Sequence, residues 1–376
     1  MKLFIQKLLS NCRPFKNGRI NLLFPQYILL HSQSIGHFIN DTEIMFAKHK
    51  DARKLGIRFR YYTQEKISNQ FWRDLLSSEV SLGNRKIAGF LHRVFRNLIP
   101  GYRSVNQEFS RVDLQDILKF RIHETKSRVM FNEEQIESGK RFLRRLGVRD
   151  AQEIAVITVR DQGYDQQFGN QAVREQSYRN TPLNDLVPLV EFLIENGYYV
   201  IRMGRHNSQR IPVRSDNFAD FSDRSSDIAD WMDFYIFSCT SFVLSTALGI
   251  DHIGIALRKR VYTFNFAPVG TMNSSHLSPF NLASDYVDRI SGEKIQFSEI
   301  FRRSIENVSS SDYFNQGSFI IKGKDASLIH EFAALALKAE ELYKSLNYYD
   351  ASEEIKKRLI NWSKLRGLTI FNNTLY

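Results

Sequence analysis

Basic and hydroxyl side chains recur where predicted buried strands end in the second half of this 376-residue chain. Because the carboxyl ends of parallel strands meet at one edge of a sheet, we expect these side chains to lie close together. Guanidinium groups match phosphate oxygens with paired hydrogen bonds, so the pattern indicates a site for a diphosphate. The residues are Arg160 and Asp161, Arg202 and Gly204, Ser245 and Thr246, and Asn265.

The stretch from Phe242 to Phe266 carries this pattern most clearly. Its apolar run ends at Ser245 and Thr246, a short helical segment with Gly249 follows, and a second β-rich run closes the unit. This order predicts a βαβ unit. The first amides of a helix have no partner within the helix and its dipole is positive there, which suits a phosphate. An ordinary helix N-cap by Ser245 or Thr246 is the alternative.

Other polar residues nearby allow two interpretations each. Tyr164 and Tyr178 are suited to stacking on a base or a sugar ring, and packing in a loop or core is the alternative. Arg160 and Asp161 are also compatible with a structural ion pair.

Metal, hydrolase and redox chemistry lack their usual motifs. Asp227, Asp230 and Asp233 could hold a metal through two of their carboxylates, but acids at a helix start are favoured by the dipole. No G-x-S-x-G, G-x-G-x-x-G after a strand, Walker G-x-x-x-x-G-K-[ST], H-E-x-x-H or Asp-x-Asp pattern accompanies them. We therefore expect a reaction that needs neither a metal ion nor a resident cofactor.

Alternating strands and helices predict an α/β protein with doubly wound parallel sheets. The length exceeds what one core usually organises, so we expect more than one domain. The predicted boundaries are an N-terminal α/β domain with a basic helical insertion at 1–149 and a second α/β domain at 150–340. Helices at 341–376 are expected to pack back across both.

The net charge of +11 is unevenly distributed. Residues 1–150 carry 28 Lys and Arg against 14 Asp and Glu, a net charge of +14, whereas the remainder has a net charge of −3. Such a field suits an anionic membrane, nucleic acid or substrate. Because no nucleic-acid motif accompanies it, nucleic acid is not an expected partner.

Two segments could contact a membrane surface. Residues 1–20 are basic with interspersed leucine and phenylalanine, and a frayed terminus is the alternative. In RKIAGFLHRVFRNLIPGYRS, residues 85–104, apolar side chains recur at helical spacing among arginine and lysine. A core helix with a solvated basic face is the alternative for the second segment.

Only Cys12 and Cys239 are cysteines, and no apolar run approaches the length of a membrane span. We therefore expect a cytoplasmic protein that is peripheral to the membrane at most.

Five strings in order, IGHFINDTE, ITVRDQGYD, SYRNT, GYYVIRMG and FVLSTALGIDHIGIALRKRVYTFNF, resemble a family of bacterial glycosyltransferases of surface-polysaccharide biosynthesis, such as O-antigen, lipopolysaccharide or capsule. The resemblance implies a GT-B architecture, in which two Rossmann-like domains face a cleft. It also implies a nucleotide-sugar donor on the C-terminal domain, a glycan or lipid-linked acceptor on the N-terminal domain, and no metal.

Residue roles follow from the resemblance. Arg160, Arg202, Thr246 and Gly249 would hold the diphosphate. Two further groups of residues have expected roles, one in the donor pocket and one on the acceptor side. The pocket residues are Tyr164, Arg179 and Asn180; the acceptor-side residues are Gly36 in the turn and His37 or Glu43 as catalytic base.

The sequence also departs from the family pattern. Ala247 and Leu248 stand where Ser-Gly is common, and IIKGKDASLIHEFA lacks the expected Glu-Asn-Thr/Ser. Two alternatives therefore stay open, a sugar-nucleotide epimerase or hydrolase of the same fold, and a non-catalytic glycan- or membrane-binding protein.

Overall fold

The computed structural model describes residues 23–110, 122–161, 177–204, 209–221, 228–271, 277–309, 317–371 and 373–376. The predicted amphipathic segment 1–20 lies outside these residues. The chain divides into two units, Met1–Val129 and Met130–Tyr376. The sequence prediction places the boundary at 149/150 instead. The helix Glu133–Leu146 belongs to the second unit because Gly139 packs against the ring of Tyr235.

The first unit contains a pair of parallel strands with helices around it. The register aligns Gln26 with Phe59 and Leu30 with Thr63. Its elements are β1 (Gln26–Leu30), α1 (Ile35–Lys54), β2 (Phe59–Thr63), α2 (Gln70–Glu79), α3 (Arg85–Leu98) and α4 (Tyr102–Ser110).

Side chains of α4 satisfy the edge of β1 that faces away from β2. The Tyr27 amide donates to Tyr102 Oη at 3.0 Å, and Asn106 Nδ2 donates to the Tyr27 carbonyl at 2.8 Å. Because buried backbone groups need partners, these two side chains take the place of a neighbouring strand here.

The second unit is built on an eight-stranded sheet. The helices of the second unit are α5 (Glu133–Leu146), α6 (Val187–Glu195), α7 (Asp230–Cys239), α8 (Asp251–Ala256), α9 (Phe297–Arg302), α10 (Ala326–Ser345) and α11 (Tyr348–Arg366). The strands of the second unit are β3 (Ile154–Thr158), β4 (Tyr199–Met203), β5 (Phe218–Asp220), β6 (Thr240–Ser245), β7 (Arg260–Phe266), β8 (Asn281–Ala283), β9 (Asp285–Asp288), β10 (Phe319–Lys322), β11 (Ile370–Phe371) and β12 (Thr374–Leu375).

The strand order is β11-β12-β8-β7-β6-β3-β4-β5, and every neighbouring pair except β11 and β12 is parallel. Strands β9 and β10 form a separate antiparallel pair. The predicted α/β class with a parallel sheet is confirmed. The predicted cleft between two domains stays a prediction.

Helices cover both faces of this sheet, which is why its central strands are continuous apolar runs. On one face, Phe242 and Phe264 share a core with Leu189 of α6 and Phe332 of α10. On the other, the small residue Gly254 lets α8 lie close to Val243 and Val261. Because successive strand residues alternate between these two cores, the alternation decides on which face of the sheet each side chain lies.

The last two helices pack on the second unit. In α10, Glu340 accepts hydrogen bonds from Arg260 at 2.6 and 2.5 Å and from the Tyr262 hydroxyl at 2.7 Å, which ties the helix to β7. In α11, Ile355 and Leu359 complete the same core. None of the described helices combines the length and apolar character that crossing a bilayer requires.

Candidate functional site

The order of strands creates a switch point between β3 and β6. From β3 the chain proceeds to β4 and β5 on one side, then returns to place β6, β7 and β8 on the other. Thr158 and Ser245 are register partners at the two carboxyl ends. The chain continues from these two strands toward opposite sides of the sheet, and open α/β sheets bind ligands in a crevice at such a switch point.

Hydrogen bonds join the segments that follow these two strands. The Thr246 amide donates to the Thr158 carbonyl at 3.0 Å, and the Arg160 amide donates to Thr246 Oγ1 at 3.0 Å. The Thr181 amide donates to the Arg160 carbonyl at 3.1 Å, which brings the segment before it to the same edge. The structure therefore brings together three sequence-predicted positions, namely Arg160, Thr246 and the Arg179–Asn180 segment.

Two guanidinium groups lie at this switch point. Arg179 Nη2 donates to the carbonyl of Ala247, in the turn after β6. Burial raises the pKa of Tyr178, and the charges of Arg179 and Arg160 act against that rise. Arg160 is buried and Arg179 and Asn180 are half-buried. The crevice thus has the positive charge that a diphosphate requires.

The turn after β6 is capped from within. The Ala247 amide donates to Ser245 Oγ at 2.9 Å, and the Leu248 amide donates to Asp251 Oδ2 at 2.6 Å. Ser245 itself is fully buried and donates to Asp251. These side chains occupy two amides of the turn that the sequence analysis assigned to a phosphate. The N-cap of α8 is Ile250 and has no side-chain cap hydrogen bond, so Ser245 and Thr246 are not the N-cap of this helix. Gly249 is half-buried in the same turn.

Asp251 is the residue of this turn that sequence reasoning missed. The hydroxyls of Thr158 and Ser245 both donate to its carboxylate. Burial raises the pKa of Asp251 to about 6, and the hydrogen bonds from Ser245, Thr158 and the Leu248 amide oppose the rise. An acid in the first turn of a helix that follows a polar strand end was the available signal.

Arg202 has structural partners, which do not favour its predicted role in holding a diphosphate. It lies within β4, and its side chain is fully buried. Nη2 donates to Asp161 Oδ2 at 2.9 Å, while Nη1 donates to Asp220 Oδ2 at 3.2 Å and to the Gln209 carbonyl at 2.6 Å. Because its terminal nitrogens are engaged by these groups, Arg202 links the ends of β3, β4 and β5.

Asp161 belongs to the same structural ion pair. Arg202 of the neighbouring strand is one of its partners. Gly204 follows β4 and is half-buried. Tyr164 and Asp227 lie outside the residues that the structure describes.

Asn265 positions a neighbouring loop. It lies at a bulge in β7 with a φ of 49°, in the left-handed region that asparagine tolerates. Its Oδ1 accepts a hydrogen bond from the Lys324 amide at 2.7 Å, and Gly323 allows the close approach.

Lys324 is a second residue that sequence reasoning missed. Its ammonium group is buried and donates to Asp285, which also lies 2.8 Å from Lys294 Nζ. Burial lowers the pKa of Lys324 to about 8, although the charge of Asp285 opposes the change. Lys324 follows β10 of the separate antiparallel pair, and Asp285 balances its charge.

In the first unit, His37 remains accessible. Gly36 is the buried second residue of α1, and His37 follows it with 70% of its side chain exposed. Nδ1 lies 3.2 Å from Asp41 Oδ2, and this hydrogen bond raises the pKa of His37. The ring therefore presents Nε2 outward while Asp41 orients it.

Glu43 does not share that exposure, which does not favour its assignment as a candidate base. Only 2% of its side chain is exposed, and Arg128 donates to both Glu43 and Glu79. Burial acts to lower the pKa of Arg128, but the two carboxylates raise it overall. Glu43 therefore anchors the segment of Arg128 to α1 rather than facing a substrate.

Comparison with known proteins finds solved structures with a similar arrangement of elements. No protein-family model matches the chain, and no curated protein matches it. An E. coli ADP-heptose LPS heptosyltransferase II is 12% identical, with 67% of this chain and 89% of that chain covered and a TM-score of 0.39. A glycosyl transferase family 9 protein from Veillonella parvula is 8% identical, with 84% and 97% covered and a TM-score of 0.44. An E. coli heptosyltransferase with ADP is 14% identical, with 64% and 86% covered and a TM-score of 0.33. At these identities and TM-scores, function has to be argued from the residues of this chain.

Proposed function

We propose that this protein is a glycosyltransferase that moves a sugar from a nucleotide-sugar donor to a cell-surface glycan or its lipid-linked precursor. The observation that carries the proposal is the switch point between β3 and β6, where Arg160 and Arg179 lie beside the turn at 246–249. The five sequence strings that resemble surface-polysaccharide glycosyltransferases include these same residues.

In this proposal the two arginines bind the donor diphosphate. Bond breaking at the sugar leaves negative charge on the nucleoside diphosphate, and fixed guanidinium groups stabilise that charge in the transition state. Arg160 and Arg179 would provide this stabilisation without a metal ion. The buried ion pair of Arg202 and Asp161 supports the strand ends from below, as a positioning element.

On the acceptor side, His37 is our candidate for the general base. A neutral Nε2 would accept the proton of the acceptor hydroxyl as that oxygen attacks the anomeric carbon of the donor sugar. Asp41, held by Nδ1, fixes the tautomer and would stabilise the imidazolium that forms. We also propose that this reaction belongs to surface-polysaccharide biosynthesis and that the donor is used in the cytoplasm.

A thermal-shift screen against ADP, UDP, GDP, dTDP and CMP, with their common sugar conjugates, tests the donor site. A ligand that binds only the folded chain raises its melting temperature. We expect one nucleotide class to produce a shift that is lost in Arg160→Ala and in Arg179→Ala. Arg302→Ala is the matched control, because Arg302 is an exposed arginine of α9 that pairs only locally with Glu299.

Transfer itself is tested with the nucleotide sugar that the screen identifies. Nucleotide release that requires an added glycan or lipid-linked acceptor supports transfer, whereas release at the same rate without acceptor indicates an epimerase or hydrolase. Absence of a shift with every nucleotide, or an unchanged shift in both arginine variants, would contradict the proposed donor site.

A further inference from the structure

Helix α3 has one wide apolar face, and the first unit covers only part of it. The covered part packs into the first unit, where Ala88 is 4% exposed and Phe95 contacts the rings of Tyr27 and Tyr102. The remaining, outer face carries Ile87 and Phe90, which are each 62% exposed. A helix that only covered a core would place polar side chains on that outer face.

The exposed apolar residues form a continuous strip. At about 100° per residue, Phe90, Val94, Ile87 and Leu91 fall within an arc of about 100° on the helix surface. Val94 and Leu91 are half-buried, and Leu91 also packs against the core cluster of the first unit. Ile87 and Phe90 are the exposed members of the strip. We call these four residues the outer strip of α3.

Basic residues border the outer strip. Lys86 and Arg93 lie next to Phe90 on the helix surface, and both are exposed, as are Arg85 and Arg96. From 85 to 107 the chain contains five basic and no acidic residues. An apolar strip with a cationic border is complementary to phosphate headgroups above acyl chains, and it is poorly matched to a neutral or basic protein surface.

The helix that carries the strip is held in a fixed position. Asn84 caps it by accepting hydrogen bonds from the Lys86 and Ile87 amides at 3.0 and 3.3 Å. His92 Nδ1 lies 2.7 Å from the Tyr62 hydroxyl, and its Nε2 lies 3.0 Å from Asn106 Oδ1. Because the helix is already formed and anchored, binding through its outer face needs no folding step.

We propose that the outer strip of α3, with Lys86 and Arg93 beside it, docks on the surface of a membrane that contains anionic phospholipid. Ile87 and Phe90 enter the boundary between headgroups and acyl chains, and the basic side chains contact lipid phosphates. This inference names a binding surface of the first unit, and it does not depend on glycosyl transfer by the second.

Co-sedimentation with vesicles tests the proposal on the full chain. Vesicles of phosphatidylcholine with and without phosphatidylglycerol provide the membrane. We expect binding only when phosphatidylglycerol is present, and weaker binding as salt is raised, because exposed charges are screened. The double variant Ile87→Ser/Phe90→Ser should lose about tenfold or more in partitioning, since it removes the apolar contact.

Two further double variants separate the electrostatic and the apolar contributions to vesicle binding. Lys86→Gln/Arg93→Gln should weaken binding and flatten its salt dependence. Ile290→Ser/Leu365→Ser is the matched control, because it replaces two apolar side chains of the second unit that are 93% and 82% exposed. That control should bind as the unchanged protein does. All replaced residues are exposed, so the melting temperature of each variant should stay close to that of the unchanged chain.

Three results would overturn the proposal. The first is the same binding to vesicles with and without phosphatidylglycerol, or to neither. The second is unchanged binding by Ile87→Ser/Phe90→Ser. The third is self-association that is lost in this variant while vesicle binding is absent, because it would show that the strip is covered by a second copy of the chain.

Discussion

Arg202 and Asp161 form a fully enclosed ion pair, with Arg202 Nη2 2.9 Å from Asp161 Oδ2 and side chains that are 0% and 6% exposed. The pair ties the end of β4 to the segment after β3, and Asp220 of β5 engages the same guanidinium at 3.2 Å. A charge that is buried this completely needs its partners, because its hydration is lost. The pair therefore keeps three strand ends together beneath the candidate donor site.

Breaking this pair is expected to affect stability before ligand binding. Asp161→Asn should lower the free energy of unfolding by about 3 kcal/mol, because it leaves the buried Arg202 with one carboxylate fewer. Urea denaturation monitored by tryptophan fluorescence measures the change. The folded fraction of the variant should still bind nucleotide. Wild-type stability together with lost nucleotide binding would instead restore Asp161 and Arg202 as donor contacts.

Asp251 is expected to make stability depend on pH. Burial raises its pKa in the folded protein from the ordinary 3.8 to about 6. The folded state therefore binds a proton that the unfolded state has released between these values, and protonation favours folding there. The contribution of Asp251 is fully present below pH 3.8 and is lost as the pH rises through about 6.

Comparison with Asp251→Asn isolates this contribution. The free energy of unfolding of the unchanged protein minus that of the variant should fall between pH 4 and pH 7 and then level off. Urea denaturation at several pH values measures this difference. A difference that is constant or rises over the same range would contradict the raised pKa.

If His37 is the general base, we expect it to set the low-pH limb of the profile of turnover against pH. The hydrogen bond that Nδ1 donates to Asp41 raises the pKa of His37 above its ordinary 6.5, so the neutral form that accepts a proton is populated only at higher pH. Turnover should therefore rise with pH through that raised value. Asp41→Asn should move the limb to lower pH while leaving the affinity for nucleotide unchanged.

Initial rates at saturating donor over a range of pH measure this limb. His37→Gln should lower kcat by about 100-fold, the range of a lost general base, with nucleotide affinity preserved. Glu43→Gln serves as the comparison, because the structure predicts a loss of stability for it instead. If His37→Gln retains full turnover, another residue is the base.

Gly139 is expected to tolerate no side chain. A Cβ at this position would lie 2.2 Å from the ring of Tyr235, where α5 packs on α7. Gly139→Ala should lower the free energy of unfolding by about 1–3 kcal/mol through overpacking, despite the better helix propensity of alanine. Gly89→Ala is the matched control in α3, since its Cβ would meet Tyr62 at an ordinary 3.7 Å and should be neutral or stabilising. Equal effects of both variants on urea denaturation would contradict the close packing of α5 on α7.

The sequence by itself determined the class of the fold and the central strands of its large sheet. The apolar runs around Ile157, Ile201, Leu244 and Phe264 identify buried parallel strands, because helices on both faces require apolar side chains at every position of such a strand. It also located the excess of positive charge before residue 150, and it placed Arg160 and Thr246 at strand ends. These conclusions depend on local composition and periodicity, which the sequence states directly.

Only the tertiary structure decided which polar residues are partners. Arg202 is separated from Asp161 by 41 positions and from Asp220 by 18, and Arg128 is 85 positions from Glu43. Such pairs depend on the order of strands in a sheet and on the path of loops, and neither has a local periodic signal. For this reason a sequence pattern could find Arg202 at a strand end, but it could not show that two carboxylates had already taken its guanidinium.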